Sequence, residues 1–430
     1  LSAHYPIAAI KTGMLANREL AEITDLTVAP VGGKSLAADA YVAPRVDLDR
    51  VSPIGGVRDI DSGPLVALGS GRRGAGRRTT RSFERMLDLE LAGHTGSEWL
   101  LSLGDLGARP NIAPILDDLR SAWGVVDDTS LHAAPEPRAS YLAQLAVAGI
   151  PFRLADGDPR MIGAWIGNEL ADVSSGPIEY LFDPDERERL SVAQRRIALR
   201  RFTDWDRWED LTDLLAVRLP PRPTISAILA TNRPEQLAHA AEQVANQNYA
   251  PVEPIFVLHG DGFGDDASRI IDGRCPNART VRVEQHEAFG SALNAGADLA
   301  TGELITKMDD DDWYGADHLW DLVHAMEYSG AELIAKAAEW VYLSELDITM
   351  RRFSFGAESY TATMAGGTMM MRRSDFDAVG RFRRARRHID LGLINDVGRL
   401  GGETYRTHGF GYLLNRNASG HTWDIGVDYF

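Results

Sequence analysis

The sequence has one cysteine among its 430 residues, and this scarcity excludes two classes of protein. Cys275 has no partner for an intrachain disulfide, so a small disulfide-stabilised fold is excluded. Zinc sites built from several thiolates are excluded for the same reason. A chain of this length is expected to form two or three domains with cores of ordinary size.

Long apolar runs and an excess of basic residues are also missing. The longest mostly apolar stretch, residues 141–152, is too short to cross the ~30 Å hydrocarbon core of a bilayer. Lysine and arginine number 45 against 62 aspartate and glutamate residues, so the net charge of -17 disfavours nucleic-acid binding. We expect a cytoplasmic protein without a transmembrane segment, either free or at the inner face of a membrane.

A proline cluster marks the main division of the chain. The prolines within residues 220–223 follow a helical pattern over about 185–219, and proline cannot continue a helix. We therefore predict a Rossmann-like α/β domain at 61–219 and a second α/β domain at 220–430. Residues 1–60, rich in Gly, Pro and Asp, stay unassigned.

Short apolar runs alternate with helix-length segments in the C-terminal half. The predicted strands are 224–230, 253–258, 280–284 and 303–308, and helices are predicted at 234–247 and 290–299. This alternation predicts a parallel sheet covered on both faces. Ligands bind outside the carboxyl ends of the strands in such sheets, so the residues just after each strand are the candidates for a site.

Four consecutive aspartates, residues 309–312, follow the last of these strands. Two carboxylates ~5 Å apart repel by ~3 kcal/mol at an effective dielectric constant of 20, which favours a cation at this position. Oxygen ligands suit Mg²⁺ or Mn²⁺. The alternative is a solvated acidic loop in which Asp312 or Asp317 caps the next helix. A calcium loop is excluded because Tyr314 and Asp321 stand where it needs an oxygen ligand and a glutamate.

Four motifs, in order and spacing, resemble the inverting family 2 glycosyltransferases of the GT-A fold. They are Thr-Asn-Arg-Pro at 231–234, Ala-Leu-Asn-Ala-Gly at 292–296, Ala-Thr-Gly-Glu-Leu-Ile at 300–305, and the aspartates at 309–312. The resemblance implies a metal-dependent transfer of a sugar from a nucleotide-diphosphate donor to a hydroxyl of a glycan, a lipid-linked molecule or a small molecule. It also implies a role in the synthesis of surface polysaccharides or glycoconjugates.

The resemblance further implies roles for individual residues. The general base would be Asp390 or, because Ile389 replaces the usual glutamate before it, Asp396. Asp309 and Asp311 would hold Mn²⁺ or Mg²⁺, and His421 either completes that metal site or is a structural histidine. The residues implied to bind the donor are Thr231, Asn232, Arg233, Asp261, Asn294 and Asp310. The residues implied to shape the acceptor site are Gly366, Gly367 and Thr368.

The stretch after the second strand departs from the family pattern. His-Gly-Asp-Gly at 259–262 replaces the acidic stretch with which the family reads the base of the donor. The identity of the nucleotide base therefore stays open.

A glycine-rich segment in the N-terminal half has the spacing of a dinucleotide-binding motif but not its expected structural context. Gly69, Gly71 and Gly74 have the required spacing, but Asp88 and Glu90 fall in a helical pattern and not at the end of the next strand. Residues 65–215 instead loosely resemble the donor-binding half of GT-B glycosyltransferases. We expect a degenerate domain that serves acceptor binding or architecture. Its arginines either bind a phosphate or form a solvated basic face; they are Arg72, Arg73, Arg77, Arg78 and Arg81.

Two other functions stay open. A sugar nucleotidyltransferase also uses metal-bound acids, but it carries a glycine-rich loop where this chain has Ala-Thr-Asn-Arg-Pro at 230–234. A non-catalytic carbohydrate-binding or assembly protein could be built on decayed transferase domains. The presence of Asp309, Asp311 and Asp390 in one chain disfavours such decay.

Overall fold

The computed structural model describes residues 58–59, 66–67, 100–102, 119, 122–127, 135–154, 159–202, 221–344, 348–352 and 357–416. Several predicted features lie outside these residues. They are the glycine-rich motif at 69–74, the arginines at 72–81, the helical pattern at 80–91, the end of the long helical pattern at 203–219, and His421.

The N-terminal part contains two small sheets. Strands β1 (Arg58–Asp59) and β2 (Val66–Ala67) form an antiparallel pair. Strands β3 (Leu100–Ser102), β4 (Gly124–Asp127) and β5 (Phe152–Leu154) form a parallel sheet in that order. The helices of this part are α1 (Pro135–Val147), α2 (Pro159–Ile166), α3 (Asn168–Ser174) and α4 (Pro184–Phe202). A helix between parallel strands is the α/β arrangement that the sequence predicts.

The C-terminal part contains twelve strands and six α-helices among the described residues of 225–416. The strands are β6 (Ile225–Thr231), β7 (Val252–His259), β8 (Arg279–Val283), β9 (Leu304–Met308), β10 (Trp313–Tyr314), β11 (Leu333–Lys336), β12 (Trp340–Leu343), β13 (Ile348–Arg351), β14 (Ser359–Tyr360), β15 (Met370–Arg372), β16 (Thr404–Thr407) and β17 (Tyr412–Arg416). The helices are α5 (Leu237–Ala245), α6 (Asp266–Asp272), α7 (Phe289–Leu299), α8 (His318–Ser329), α9 (Arg373–Ala378) and α10 (Ile389–Arg399).

Eight of these strands form one sheet, in the order β14-β16-β11-β15-β9-β6-β7-β8. Strands β9, β6, β7 and β8 are parallel, as predicted, and every residue of β6 is buried because both faces of the sheet are covered. The chain runs from β6 outward to β7 and β8, and then returns to place β9 on the other side of β6. The carboxyl ends of β6 and β9 are therefore a topological switch point, where open α/β sheets bind ligands.

A four-stranded sheet, in the order β10-β17-β12-β13, lies beyond these carboxyl ends. Strand β10 follows the acidic run, residues 309–312, directly, and it pairs antiparallel with β17. Strand β17, the last described strand, therefore lies next to the acidic run.

One apolar cluster contains residues from both sides of the predicted boundary at 219/220. Leu145 of α1 and Leu199 of α4 belong to the same cluster as Leu322 and Met326 of α8. The boundary itself stays a prediction. Within the described residues, no helix combines the length and the apolar character that crossing a bilayer requires.

Candidate functional site

Two adjacent cavities open at the carboxyl ends of β6 and β9. The first cavity has a volume of about 310 Å³, and Arg233 and Asp309, from the two strand ends, line it. The second cavity has a volume of about 480 Å³ and lies between residues 362–367, helix α10 and strands β16 and β17. Asp309, His388 and Asp390 line both cavities. Two of the predicted site carboxylates therefore lie where the cavities meet.

Lys307 connects these two carboxylates from within strand β9. Its ammonium lies 2.7 Å from Asp309 Oδ1 and 3.5 Å from Asp390 Oδ1, and it donates to the Gly366 carbonyl at 3.1 Å. The side chain is only 3% exposed. Burial alone would lower the pKa of Lys307, but Asp309 and Asp390 raise it above its ordinary value. Lys307 is therefore a permanent positive charge beneath the junction of the cavities.

Arg233, which follows β6, binds the middle of the acidic run. Its guanidinium donates to both carboxylate oxygens of Asp310 and, at 2.9 Å, to Asp311 Oδ2. Thr231 donates its hydroxyl to the same Asp310 carboxylate. The Thr-Asn-Arg motif thus fixes the acidic run across the switch point. Asn232 also lines the first cavity.

Asp312, the last residue of the acidic run, is held by β17. The Tyr412 hydroxyl donates to Asp312 Oδ2 at 2.7 Å, and the backbone N–H of Asn415 donates to Asp312 Oδ1 at 2.9 Å. Burial, and then the charges of Asp309 and Asp311, raise the pKa of Asp312 well above its ordinary value. Burial and the neighbouring carboxylates therefore favour the protonated form of Asp312.

Asp390 lies in the first turn of α10, and its side chain is 36% exposed although its Oδ1 atom is buried. Burial of the carboxylate, assisted by the charge of Asp309, raises the pKa of Asp390, and Lys307 opposes this effect. A Cβ on Gly366 would overlap with Asp390 Oδ2, so only glycine leaves room for this carboxylate. A Cβ on Gly367 would lie 2.7 Å from Asp309 Oδ2 and 2.9 Å from Asp312 Oδ2. The glycine pair therefore makes space for three carboxylates.

The other candidate base, Asp396, lies in a different environment. Arg383 donates to both of its oxygens, at 2.9 and 2.6 Å, and Arg399 binds the same carboxylate. The hydrogen bond from Arg383 lowers the pKa of Asp396. Asp396 lines neither of the two cavities.

Three other predicted site residues lie away from both cavities. Asp261 is exposed in the loop after β7. The Asn294 amide donates to the Phe382 carbonyl at 2.8 Å and accepts from the Phe382 amide at 3.2 Å. The Thr368 hydroxyl is buried, donates to the Ala365 carbonyl and accepts from the Lys336 amide. Their binding roles stay predictions, and His421 lies outside the described residues.

The structure adds cavity residues that the sequence analysis missed. Lys307, Arg386, Arg387 and His388 line the first cavity, and Arg352, Arg406 and Arg416 line the second. A lysine inside the apolar strand at 304–308 was a usable signal, because a buried charge needs a partner. The arginines carry no such signal, since basic residues are common on surfaces.

The acidic run fits a divalent cation in its chemistry and charge. Four of the five carboxylates, counting Asp390, contact one of two cations, Lys307 or Arg233, and Asp312 contacts neither. The all-oxygen donor set suits Mg²⁺ or Mn²⁺. Gly367 also leaves a concave space beside Asp309 that a Cβ would fill. Among the described residues, however, no three acidic, histidine or cysteine side chains are grouped closely enough to hold an ion.

Comparison with known proteins identifies a family for part of the chain. Residues 227–380, from β6 to the end of α9, match the family model described as Glycosyl transferase family 2. An uncharacterized glycosyltransferase, YwdF of Bacillus subtilis (strain 168), is 27% identical over 168 residues, which are 37% of this chain and 61% of that protein.

Two solved structures are similar at lower identity. The mannosyltransferase PcManGT from Pyrobaculum calidifontis, in complex with GDP-Man and Mn²⁺, is 17% identical with a TM-score of 0.37, over 46% of this chain and 59% of that one. S. aureus TarS 1-349, in complex with UDP-GlcNAc, is 17% identical with a TM-score of 0.39, over 47% of this chain and 62% of that one. The chain thus spans about three fifths of the length of these relatives.

The match begins within the strand that carries the Thr-Asn-Arg motif and includes the acidic run and the glycine pair. Asp390, Arg406 and Arg416 lie beyond it. Residues 227–380 therefore match the Glycosyl transferase family 2 model within a mixed α/β protein.

Proposed function

We propose that the protein is a metal-dependent, inverting glycosyltransferase that moves a sugar from a nucleotide-diphosphate donor to an acceptor hydroxyl. The observation that carries this proposal is the position of Asp390 and Asp309 at the junction of two cavities. One cavity can hold the donor and the other the acceptor. The family match over residues 227–380 supports the same activity.

The first cavity is the proposed donor site. Asn232 and Arg233 line it from the end of β6, and Arg386 and Arg387 line it from the segment before α10. The two arginines supply positive charge for a diphosphate. Arg233 already binds Asp310 and Asp311, so its proposed contribution is to orient these carboxylates.

Asp309 and Asp311 are the proposed metal ligands. Mn²⁺ or Mg²⁺ held there would neutralise charge on the leaving diphosphate. Lys307 and Arg233, which bind these carboxylates, keep the acidic run in place.

Asp390 is the proposed general base. The acceptor hydroxyl gives its proton to the Asp390 carboxylate, and its oxygen bonds to the anomeric carbon of the donor. The bond from that carbon to the diphosphate oxygen breaks, so the nucleoside diphosphate leaves from the opposite face. Asp396 is less suited to this role because Arg383 and Arg399 occupy its oxygens.

The test compares Asp390→Asn with Asp396→Asn. A positioned base contributes typically 10²- to 10⁴-fold, so we expect Asp390→Asn to lower turnover by about that factor. Nucleotide binding should be nearly unchanged, because the amide keeps the shape of the carboxylate. Asp396→Asn should chiefly lower stability, since it breaks two ion pairs. The measurements are donor consumption with Mn²⁺ over a panel of nucleotide sugars, and the shift in melting temperature with nucleoside diphosphates.

Three outcomes contradict the proposal. Full turnover by Asp390→Asn excludes it as the base. Release of pyrophosphate from a nucleoside triphosphate indicates a sugar nucleotidyltransferase. Absence of both nucleotide-sugar binding and consumption indicates a non-catalytic carbohydrate-binding or assembly protein. The acceptor class and a role in surface polysaccharide or glycoconjugate synthesis remain parts of this proposal.

A further inference from the structure

Three arginines line the second cavity. Arg352 follows β13, Arg406 lies in β16, and Arg416 ends β17. Arg416 belongs to the four-stranded sheet, Arg352 directly follows one strand of that sheet, and Arg406 belongs to the eight-stranded sheet, so the cavity collects them from two sheets. They place positive charge in this cavity although the chain as a whole carries a net charge of -17.

Among the described residues, the acids of this cavity are confined to one end. Asp309 and Asp390 are the two described acidic residues that line it, and both also line the first cavity. None of the three arginines lines the first cavity. The second cavity therefore has a carboxylate end at the junction and an arginine end away from it.

Arg406 is held in this position by the protein. It is 6% exposed and donates to the Thr363 carbonyl at 2.6 Å. Burial lowers the pKa of Arg406 to about 10, and the charge of Glu339 opposes this only in part. The guanidinium is still charged at neutral pH, and a charged guanidinium forms its strongest hydrogen bonds with oxyanions.

We infer that the acceptor carries an oxyanion, a phosphate or a carboxylate, that binds Arg352, Arg406 and Arg416 while its hydroxyl lies at Asp390. This inference rests on the proposed function, in which the second cavity receives the acceptor. Guanidinium groups match the geometry of both oxyanions through paired hydrogen bonds. A cavity of about 480 Å³ accommodates an acceptor of monosaccharide size or somewhat larger.

The test uses three probes of the same ring: glucose 6-phosphate, glucuronate and glucose. Their binding is measured by calorimetry with the full chain in the presence of a nucleoside diphosphate and Mn²⁺. We expect at least one charged probe to bind about ten-fold or more tightly than glucose, because hydrogen bonds to charged groups are the stronger ones. A preference for glucose 6-phosphate assigns a phosphate acceptor, and a preference for glucuronate assigns a carboxylate.

The variants are Arg352→Gln and Arg416→Gln, with Arg373→Gln as the control. Arg373 is exposed at the start of α9, lines neither cavity, and gives the same change in net charge. Each cavity variant should weaken the charged probe about ten-fold and leave glucose and nucleoside diphosphate binding unchanged. Arg373→Gln should change none of these affinities. Melting temperatures identify any variant that fails to fold.

The failures of the two proposals differ. If nucleoside diphosphates bind but both charged probes bind no better than glucose, the oxyanion inference is wrong and the proposed activity stands. The same conclusion follows if Arg352→Gln and Arg416→Gln behave like Arg373→Gln. If no nucleoside diphosphate binds the wild-type protein, the proposed activity itself fails.

Discussion

At the scale of single residues, the glycine pair sets how close the carboxylates stand. Gly366 and Gly367 begin a short 3-10 turn between β14 and β15. The carboxylates of Asp390, Asp309 and Asp312 occupy the space that side chains at these two positions would need. The sequence resemblance implies an acceptor-shaping role for this pair. The contacts suggest an additional one, which is to leave space for Asp390, the proposed base.

Gly366→Ala should therefore lower turnover while it preserves nucleotide binding. The added Cβ would overlap with Asp390 Oδ2, and the carboxylate must move away from the cavity junction. We expect a loss of turnover near that of Asp390→Asn, about 10²-fold or more. Turnover with donor and Mn²⁺ is the measurement, and the nucleotide-induced shift in melting temperature reports on donor binding.

Gly398→Ala is the matched control. Gly398 lies in α10, as Asp390 does, and a Cβ there would meet nothing within 4 Å. Alanine should stabilise this helix by about 0.5–1 kcal/mol and leave turnover as it is. Equal turnover in Gly366→Ala and Gly398→Ala contradicts the positioning role of Gly366.

At the scale of elements, helix α4 is fastened to the C-terminal part by buried ion pairs. Arg195 lies 2.8 Å from Glu358, and the hydroxyls of Tyr328 and Tyr405 donate to the same carboxylate. Burial alone would raise the pKa of Glu358, but Arg195 holds it below its ordinary value. One turn of α4 thus anchors the N-terminal part to the sheet that carries the site.

Arg195→Met should destabilise the protein strongly. Removal of one partner leaves Glu358 buried without its counter-charge, which costs about 3–5 kcal/mol. Arg189→Met, in the same helix, is the control, because Arg189 is 67% exposed and its pair with Glu186 is worth ~0–1 kcal/mol. Urea unfolding of both variants measures the two free energies. Losses of equal size would show that the buried pair does not anchor the helix.

The elements also show what the sequence could predict. The alternation of apolar and helical segments correctly predicted β6 to β9, most clearly at β6, whose residues are all buried between the two covered faces of the sheet. In the Ala-Leu-Asn-Ala-Gly motif, a Cβ on Gly296 would lie 2.8 Å from the side chains of Ile228 and Val257. The glycine of this motif is therefore explained by close packing of the helix against the sheet, in addition to the resemblance to the family.

The arginine end of the second cavity could not be predicted in the same way. Arg352, Arg406 and Arg416 are separated by up to 64 positions and meet only through the pairing of strands in two sheets. Asp390 was named as a candidate base by resemblance, whereas the proposal that favours it over Asp396 depends on which basic side chains contact each carboxylate. Such contacts between distant segments leave no local pattern in a sequence.

At the scale of the whole molecule, three buried histidines lie near the junction of the N- and C-terminal parts. His318 and His324 are in α8, and His408 follows β16 with its Nε2 3.6 Å from Asp321 Oδ1. Burial lowers the pKa of His324 to about 3 and that of His408 to about 4, and it lowers that of His318 strongly as well. All three are therefore neutral in the folded protein at neutral pH.

Stability should fall as the pH decreases below about 6.5, the ordinary pKa of histidine. The unfolded chain takes up a proton at each histidine near that pH, whereas the folded protein does not until about pH 4 at His408 and about pH 3 at His324. Protons bind more to the unfolded state in this window, so each histidine lowers the free energy of unfolding by about 1.4 kcal/mol per pH unit. Asp312, with its raised pKa, changes the stability in the opposite direction. The contribution of one histidine therefore has to be measured as the difference between the wild type and a variant without that histidine.

His324→Phe provides that difference. The ring of His324 packs 5.1 Å from that of Trp320, and phenylalanine keeps an aromatic ring there without a titrating group. Urea unfolding between pH 7.5 and 5 should show, below about pH 6.5, a slope that is smaller in the variant than in the wild type and approaches a difference of about 1.4 kcal/mol per pH unit. His286→Gln, at a side chain that is 73% exposed, is the control and should leave the slope unchanged. Parallel pH profiles for His324→Phe and the wild type would mean that His324 takes up its proton at the same pH in the folded protein as in the unfolded chain. This result would contradict a neutral, buried His324.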